Sequence, residues 1–247
     1  MECNPPAEKY AVMTTAASKQ PATLLNPAVT LKICSIAINC PANIAIGTAR
    51  LGLKSALLSR VGDEQMGRFI HEQLQREGVE TGGLKTDKER LTALVLLAVE
   101  AEGVSPMIFY RSDCADMALS EEDVDEAFVA SSRAIVVTGT HFSRPNSEAA
   151  QLKAIRIAKA NGRKVAFDID YRPNLWGLAG HAEGFERYVK SDKVSAKLKA
   201  ILPDCNLIVG TEEEIMIATG ADVEVEKSFC HCGTNRAVTR VRLRMRG

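Results

Sequence analysis

Between residues 40 and 222, short apolar runs take turns with amphipathic segments, and on either side of that stretch the pattern fades. Pro41–Leu51 reads as a helix, with proline in its first turn and Gly52 just past its end. Lys54–Val61 predicts a strand. Asp63–Glu77 predicts a second helix that gathers Met66, Phe69, Ile70 and Leu74 on one face and stops at Gly78. Leu91–Val99 and Pro106–Arg111 are two apolar strands divided by a polar hexapeptide, which suits a hairpin.

A regular repeat of helix and strand follows. Ser120–Ala130 predicts a helix with Ser120 as N-cap and Asp123 at the capping-box position. Ala134–Thr138, Lys164–Asp168 and Asn206–Val209 are buried strands. Ser147–Ala160, Val194–Leu202 and Thr211–Thr219 are the helices between and after them. Four- or five-residue apolar strands alternating with helices imply parallel pairing through right-handed crossovers. The expected fold is therefore a layered α/β domain over residues 39–222, a parallel sheet flanked by helices, with the strands of 91–111 projecting as a small β lid.

The two ends read differently. Residues 1–38 carry Pro5, Pro6, Pro21 and Pro27 and predict an irregular arm, in which only Val29–Ile38 suits a short strand. Residues 223–247 place five arginines in the last twelve positions with no apolar periodicity, which predicts a basic, unstructured tail. Over the whole chain, Lys+Arg (31) equals Asp+Glu (31) and aromatics are only 5%, so neither charge nor stacking surface suggests a nucleic-acid binder. No run reaches the roughly 18 apolar residues needed to cross a bilayer. The seven cysteines are irregularly spaced with no CxxC pair, which suits a reducing, cytoplasmic setting better than a disulfide framework. Cys230-His231-Cys232 lacks a second pair of metal ligands nearby.

In open α/β sheets, ligands sit beyond the carboxyl ends of the strands. The polar groups there are Gly139, Thr140 and His141, then Asp168, Asp170 and Arg172, then Thr211 to Glu214. The chain has no GxxxxGK[ST], no GxGxxG and no GxSxG, which excludes a P-loop, a dinucleotide fingerprint and a nucleophile elbow.

One set of motifs points further. Cys40-Pro41-Ala42-Asn43-Ile44-Ala45 is followed by Gly52 and by Ser59-Arg60-Val61-Gly62-Asp63 with Gly67. Later come Asp87 to Leu94, Phe109-Tyr110-Arg111, Cys114 to Ala118, Thr138 to His141, Asp168-Ile169-Asp170-Tyr171-Arg172 and Gly210 to Glu214. In this order they resemble the ribokinase-like (PfkB) carbohydrate kinases, and within them the sugar-acid kinases of inositol breakdown. The resemblance implies ATP and Mg2+ as cofactors, a keto-deoxy sugar acid as substrate, and a possible homodimer through the lid.

It also implies roles, each beside a plainer reading. Asn43, in the first turn of a helix, is either a local cap or a sugar contact. Arg111, ending a lid strand, is either solvated or paired bidentately with a substrate carboxylate. Arg172 is similar to the arginine with which related kinases grip a keto-sugar acid. Phe109 packs on the sugar or in the lid's own core. Asp168 and Asp170 are loop caps, or one of them faces phosphates through a metal ion. Thr211 and Glu214 form a capping box. By resemblance Glu214 also takes the place of a glutamate that holds Mg2+ through water, with Thr211 where the family has asparagine. His141 reads as a buried hydrogen-bonding residue. The sugar-acid reading requires Arg111 and Arg172 to share one hollow.

Two departures accompany the match. Ile38-Asn39 stands where the family has a Gly-Gly pair. The family's Gly-Ala-Gly-Asp motif, whose glycine amides form an anion hole and whose aspartate is the general base, is not present; Gly220-Ala221-Asp222 only closes a helix. The resemblance therefore implies an impaired kinase, and the altered ends suggest a disrupted reading frame.

Overall fold

The computed structural model describes residues 10–13, 32–36, 40–97, 107–180, 188–220, 223–231 and 237–245. The segment 98–106 between the lid strands, Ile38-Asn39, Asp222 and Cys232 lie outside these residues.

The alternation of strand and helix becomes one nine-stranded sheet. Its strands are β1 (Tyr10–Met13), β2 (Lys32–Ile36), β3 (Lys54–Gly62), β4 (Glu80–Asp87), then, after the lid strands β5 (Leu94–Leu97) and β6 (Met107–Tyr110), β7 (Ala134–Thr138), β8 (Lys164–Asp168), β9 (Leu207–Val209), β10 (Val223–His231) and β11 (Ala237–Met245). The order is β10-β11-β1-β9-β8-β7-β2-β3-β4. From β1 to β4 every pairing is parallel, while β11 runs antiparallel to both β1 and β10. The lid is a separate antiparallel pair, β5 with β6.

Helices supply the crossovers. α1 (Cys40–Arg50) and α2 (Gln65–Arg76) join β2, β3 and β4, while the short α3 (Glu126–Ala130) precedes β7. α4 (Pro145–Ala160), α5 (Asp192–Ile201) and α6 (Glu212–Thr219) alternate with β7, β8 and β9. Two cores result. The larger is built around Phe142, Phe167, Ile155, Leu198 and Ile208, with Phe142 and Phe167 meeting edge to face at 6.0 Å. The smaller joins Ala45 and Leu74 to Leu57, Val61 and Leu84.

Three sequence expectations need correction. The basic tail forms strands β10 and β11, whose basic positions at 240, 242 and 244 recur with the period of two that a strand allows. The irregular arm contributes the unexpected β1, while β2, an inner strand between β3 and β7, falls within the Val29–Ile38 segment that suited a strand. The single helix read over Ser120–Ala130 is split. Val124 turns extended, with φ −86° and ψ 95°, and Asp125 caps a fresh helix through the Phe128 amide at 2.6 Å. Asp123 binds the Ser120 amide at 2.8 Å but also takes the Arg60 fork at 2.8 and 2.9 Å.

Side chains brace the strand ends where ligands would approach. Gln151 of α4 accepts from the Thr138 amide and donates to the Thr138 carbonyl, both at 2.8 Å, closing the end of β7 as a neighbouring strand would. Next in the chain, Gly139 passes so near the β8 exit that a Cβ would lie 2.1 Å from the Ile169 carbonyl oxygen. At the lid root, Glu64 caps α2 through the Met66 and Gly67 amides and also accepts from the Thr92 amide and hydroxyl, which ties the lid stalk to the domain.

Candidate active site

The exit of β8, the first turns of α1, one face of α2 and the inner face of the lid surround a hollow of about 490 Å³. Asn43, Phe109, Arg111, Asp170 and Arg172, distant from one another in sequence, all line it. Period-two alternation explains the lid's part. Val95 and Phe109 turn inward, while Leu94, Leu96, Ile108 and Tyr110 are exposed.

The two guanidinium groups are held differently. Arg111 is only 2% exposed and directs Nε and Nη2 onto one oxygen of Asp116, the former at 2.8 Å. His141, fully buried, stands 3.5 Å from both members of that pair and 3.2 Å from the Thr138 hydroxyl. Burial pushes the Asp116 carboxyl up, but Arg111 and His141 outweigh it and hold the group near 2. Burial keeps His141 below its ordinary value, against the opposing pull of Asp116. Arg172 is half-buried and pairs with Asp170 Oδ1 at 2.7 Å, donates to the Tyr171 carbonyl at 2.9 Å, and lies 3.7 Å from Glu214.

Asp170 carries a backbone strain of its own, with φ +32° in a residue that is not glycine. Such a conformation costs on the order of 1–3 kcal/mol and persists only where its surroundings fix it. Here the Thr140 hydroxyl holds both the Asp170 carbonyl (2.6 Å) and its carboxylate (2.9 Å), while Arg172 holds the other oxygen.

A second hollow, of about 600 Å³, adjoins the first across Cys40, Asp170 and Arg172 and is lined by Asp168, Thr211 and Glu214. Thr211 and Glu214 form the expected capping box. Glu214 Oε2 accepts from the Thr211 amide at 2.8 Å, and its Oε1 accepts from the Tyr171 amide at 3.0 Å. The same carboxylate thus fastens the β8 exit to the start of α6. Asp168 accepts from the Cys40 thiol at 2.7 Å. Burial, then Asp170 and Glu214, push the Asp168 carboxyl up to about 7, and burial and the nearby carboxylates push the Cys40 thiol up as well.

The carboxylates near the junction are Asp168, Asp170 and Glu214, with the Cys40 thiol bonded to the first and Gly210 beside the last, where a Cβ would lie 3.3 Å from Glu214. Such a set suits Mg2+, which takes one or two carboxylates together with water and phosphate oxygens. Among the described residues no three His, Cys, Asp or Glu side chains form a ready metal cage.

Sequence reasoning missed the contribution of α2. The apolar face of this helix is only partly core: Leu74 is buried, Ile70 half-buried, and Phe69 is 56% exposed at the edge of the hollow beside Gln73. Apolar periodicity cannot tell a core from the wall of a cleft. In sequence Asp116 is only one residue of the Cys114–Ala118 motif, and nothing in its neighbours reveals that it meets Arg111.

The sequence pattern of the pfkB family of carbohydrate kinases matches residues 40–237. The chain belongs to that family. The match runs beyond residue 222, where the sequence alone placed the domain's end. The 5-dehydro-2-deoxygluconokinase of Halalkalibacterium halodurans is 35% identical over 175 residues, 70% of this chain and 49% of that protein. The chain spans about half the length of the curated relatives it matches. An uncharacterized sugar kinase from Pyrococcus horikoshii superimposes with a TM-score of 0.69 at 22% identity, over 85% of this chain and 76% of that one. Its complex with ATP gives 0.65 at 23%, over 76% and 66%. These neighbours share the layered sheet with flanking helices. No helix among the described residues is long and apolar enough to cross a membrane.

Proposed function

We propose that this chain is built to bind a keto-deoxy sugar acid, 5-dehydro-2-deoxy-D-gluconate, and to transfer to its primary hydroxyl the γ-phosphoryl group of ATP, giving the 6-phosphate and ADP. The observation that carries the reading is the convergence of Arg111 and Arg172 on one hollow, with apolar walls from the lid and α2. A guanidinium fork suits a carboxylate by geometry as well as charge, and the inward Phe109 excludes water beside it. Asn43, exposed at the start of α1, offers an amide to the sugar hydroxyls. Asp170, Thr211 and Glu214 face the second hollow, where they would hold Mg·ATP. Bound Mg2+ would neutralise phosphate charge there.

The relatives' name and the ATP-bound neighbour support substrate and donor, and the reading places the protein in the cytoplasm. The outward apolar lid residues Leu94, Leu96, Ile108 and Tyr110 suit pairing with a second copy, which sedimentation would reveal.

The sequence contains no Gly-Ala-Gly-Asp. A general base contributes about 10²–10⁴ to rate and an anion-hole donor about 10²–10³, so binding should exceed turnover in efficiency. A second reading is a sugar-acid binder without catalysis, which needs the arginine-lined hollow but not the transfer chemistry. Calorimetric titration with the sugar acid, with and without Mg·ATP, beside an ADP-release assay, separates the two. A wild-type protein that ignores the acid refutes both.

A further inference from the structure

Arg111 does not stand alone at the hollow. Behind it lies a buried carboxylate, Asp116, 1% exposed, and behind that the fully buried His141. The arrangement is costly. Desolvating two charges offsets most of their attraction, so a buried ion pair is a poor source of stability compared with an apolar pair of the same volume. The other Asp116 oxygen, Oδ1, finds no hydrogen bond among the described residues, which adds to that cost.

The seat of the pair is nonetheless rigid. Asn146, in the first turn of α4, donates to the carbonyls of Met117 (2.8 Å) and Leu119 (3.0 Å) and so fixes the loop bearing Asp116. The next residue, Ser147, donates to the His141 carbonyl at 2.6 Å. The Ala115 amide donates to the Leu91 carbonyl at 2.9 Å, tying the same loop to the lid stalk. One helix start thus anchors both residues behind the arginine. A merely structural ion pair needs no such frame.

We propose that Asp116 and His141 are positioning residues that aim the Arg111 guanidinium into the hollow, so that recognition of an anionic ligand depends on two side chains that do not line it. The inference rests on reading that hollow as a sugar-acid site. It sets two effects against each other. If Asp116 acts only as a counter-charge, its neutral isostere strengthens anion binding. If it aims the fork, the isostere weakens binding, because a neutral amide holds a guanidinium less firmly than a carboxylate of opposite charge does.

The test uses the full chain, wild type and the variants Asp116→Asn and His141→Gln, titrated calorimetrically with 5-dehydro-2-deoxy-D-gluconate and with neutral 2-deoxy-D-glucose. Nitrogen-15 spectra of the arginine Nε–H groups, with the Arg111 signal assigned by its loss in Arg111→Lys, report orientation without any ligand. The expected result is a dissociation constant for the acid raised tenfold or more in Asp116→Asn, little change for the neutral sugar, and a broadened Arg111 signal. His141→Gln shows the same trend more weakly and serves if Asp116→Asn does not fold. Unchanged or tighter acid binding in a folded variant overturns the proposal, as does an Arg111 signal as sharp as in wild type. Should the wild type bind no acid, the ligand assignment falls, and the spectra alone decide whether Asp116 fixes the guanidinium.

Discussion

Replacing Asp168 by Asn should change how the protein's stability responds to pH. Asp168 ends β8, accepts from the Cys40 thiol, and faces Asp170 and Glu214 with only partial relief from Arg172. Burial and those like charges move its carboxyl from 3.8 to about 7. In the unfolded chain the group ionises above about pH 4, whereas in the fold it keeps its proton to about 7. The sign follows: the folded state binds this proton more tightly, so the group's stabilising contribution is complete below about pH 4 and is lost as pH rises through 7. At roughly 1.4 kcal/mol per pH unit, the total is about 4 kcal/mol. Most of the loss between pH 5 and 8, roughly 2–3 kcal/mol, is accessible to experiment. Asparagine keeps the shape and cannot ionise. Urea unfolding of both proteins from pH 5 to 8, without nucleotide or divalent metal, should show the variant gaining on wild type by that amount as pH rises. Parallel stability curves would mean that Asp168 ionises normally in the fold, and the account of a charge-crowded strand end would be wrong.

The remaining predictions concern the frame of the site. Gly139→Ala puts a Cβ against the Ile169 carbonyl oxygen, and backbone on both sides leaves no side chain to yield; a loss of about 2–4 kcal/mol is expected, read as a fall in urea midpoint. Gln151→Leu strips both partners from the buried Thr138 backbone and should cost about 2–4 kcal/mol, near 1–3 for each orphaned group less what the leucine regains; a loss under 0.5 kcal/mol would show that water replaces the clasp. Thr211→Ala removes the cap of α6 and should cost about 1 kcal/mol in the same assay.

How much was legible beforehand depends on the range of the interactions involved. The strands β3, β7, β8 and β9 and the helices between them could be read because their periodicity is local: a side chain's burial follows from its own place in a turn or pleat. The capping box of Thr211 and Glu214 was legible for the same reason, since both partners lie within one helical turn. The strand β4 was not read, since Glu80–Asp87 offers two glycines and few apolar residues. Its place comes from pairing with β3. The tail's strands were missed because alternating arginines look like disorder until a partner strand gives them register.

The sequence by itself determined which functional groups are on offer, since amide, guanidinium and carboxylate stand at strand ends and in the lid whatever their surroundings. Tertiary structure decided which of them meet. Only the folded chain sets Arg111 against Asp116 and both arginines over one hollow, turns part of the α2 face from core into wall, and crowds Asp168 until its proton stays. Those effects depend on distance and on the exclusion of water, and neither is written in the order of residues.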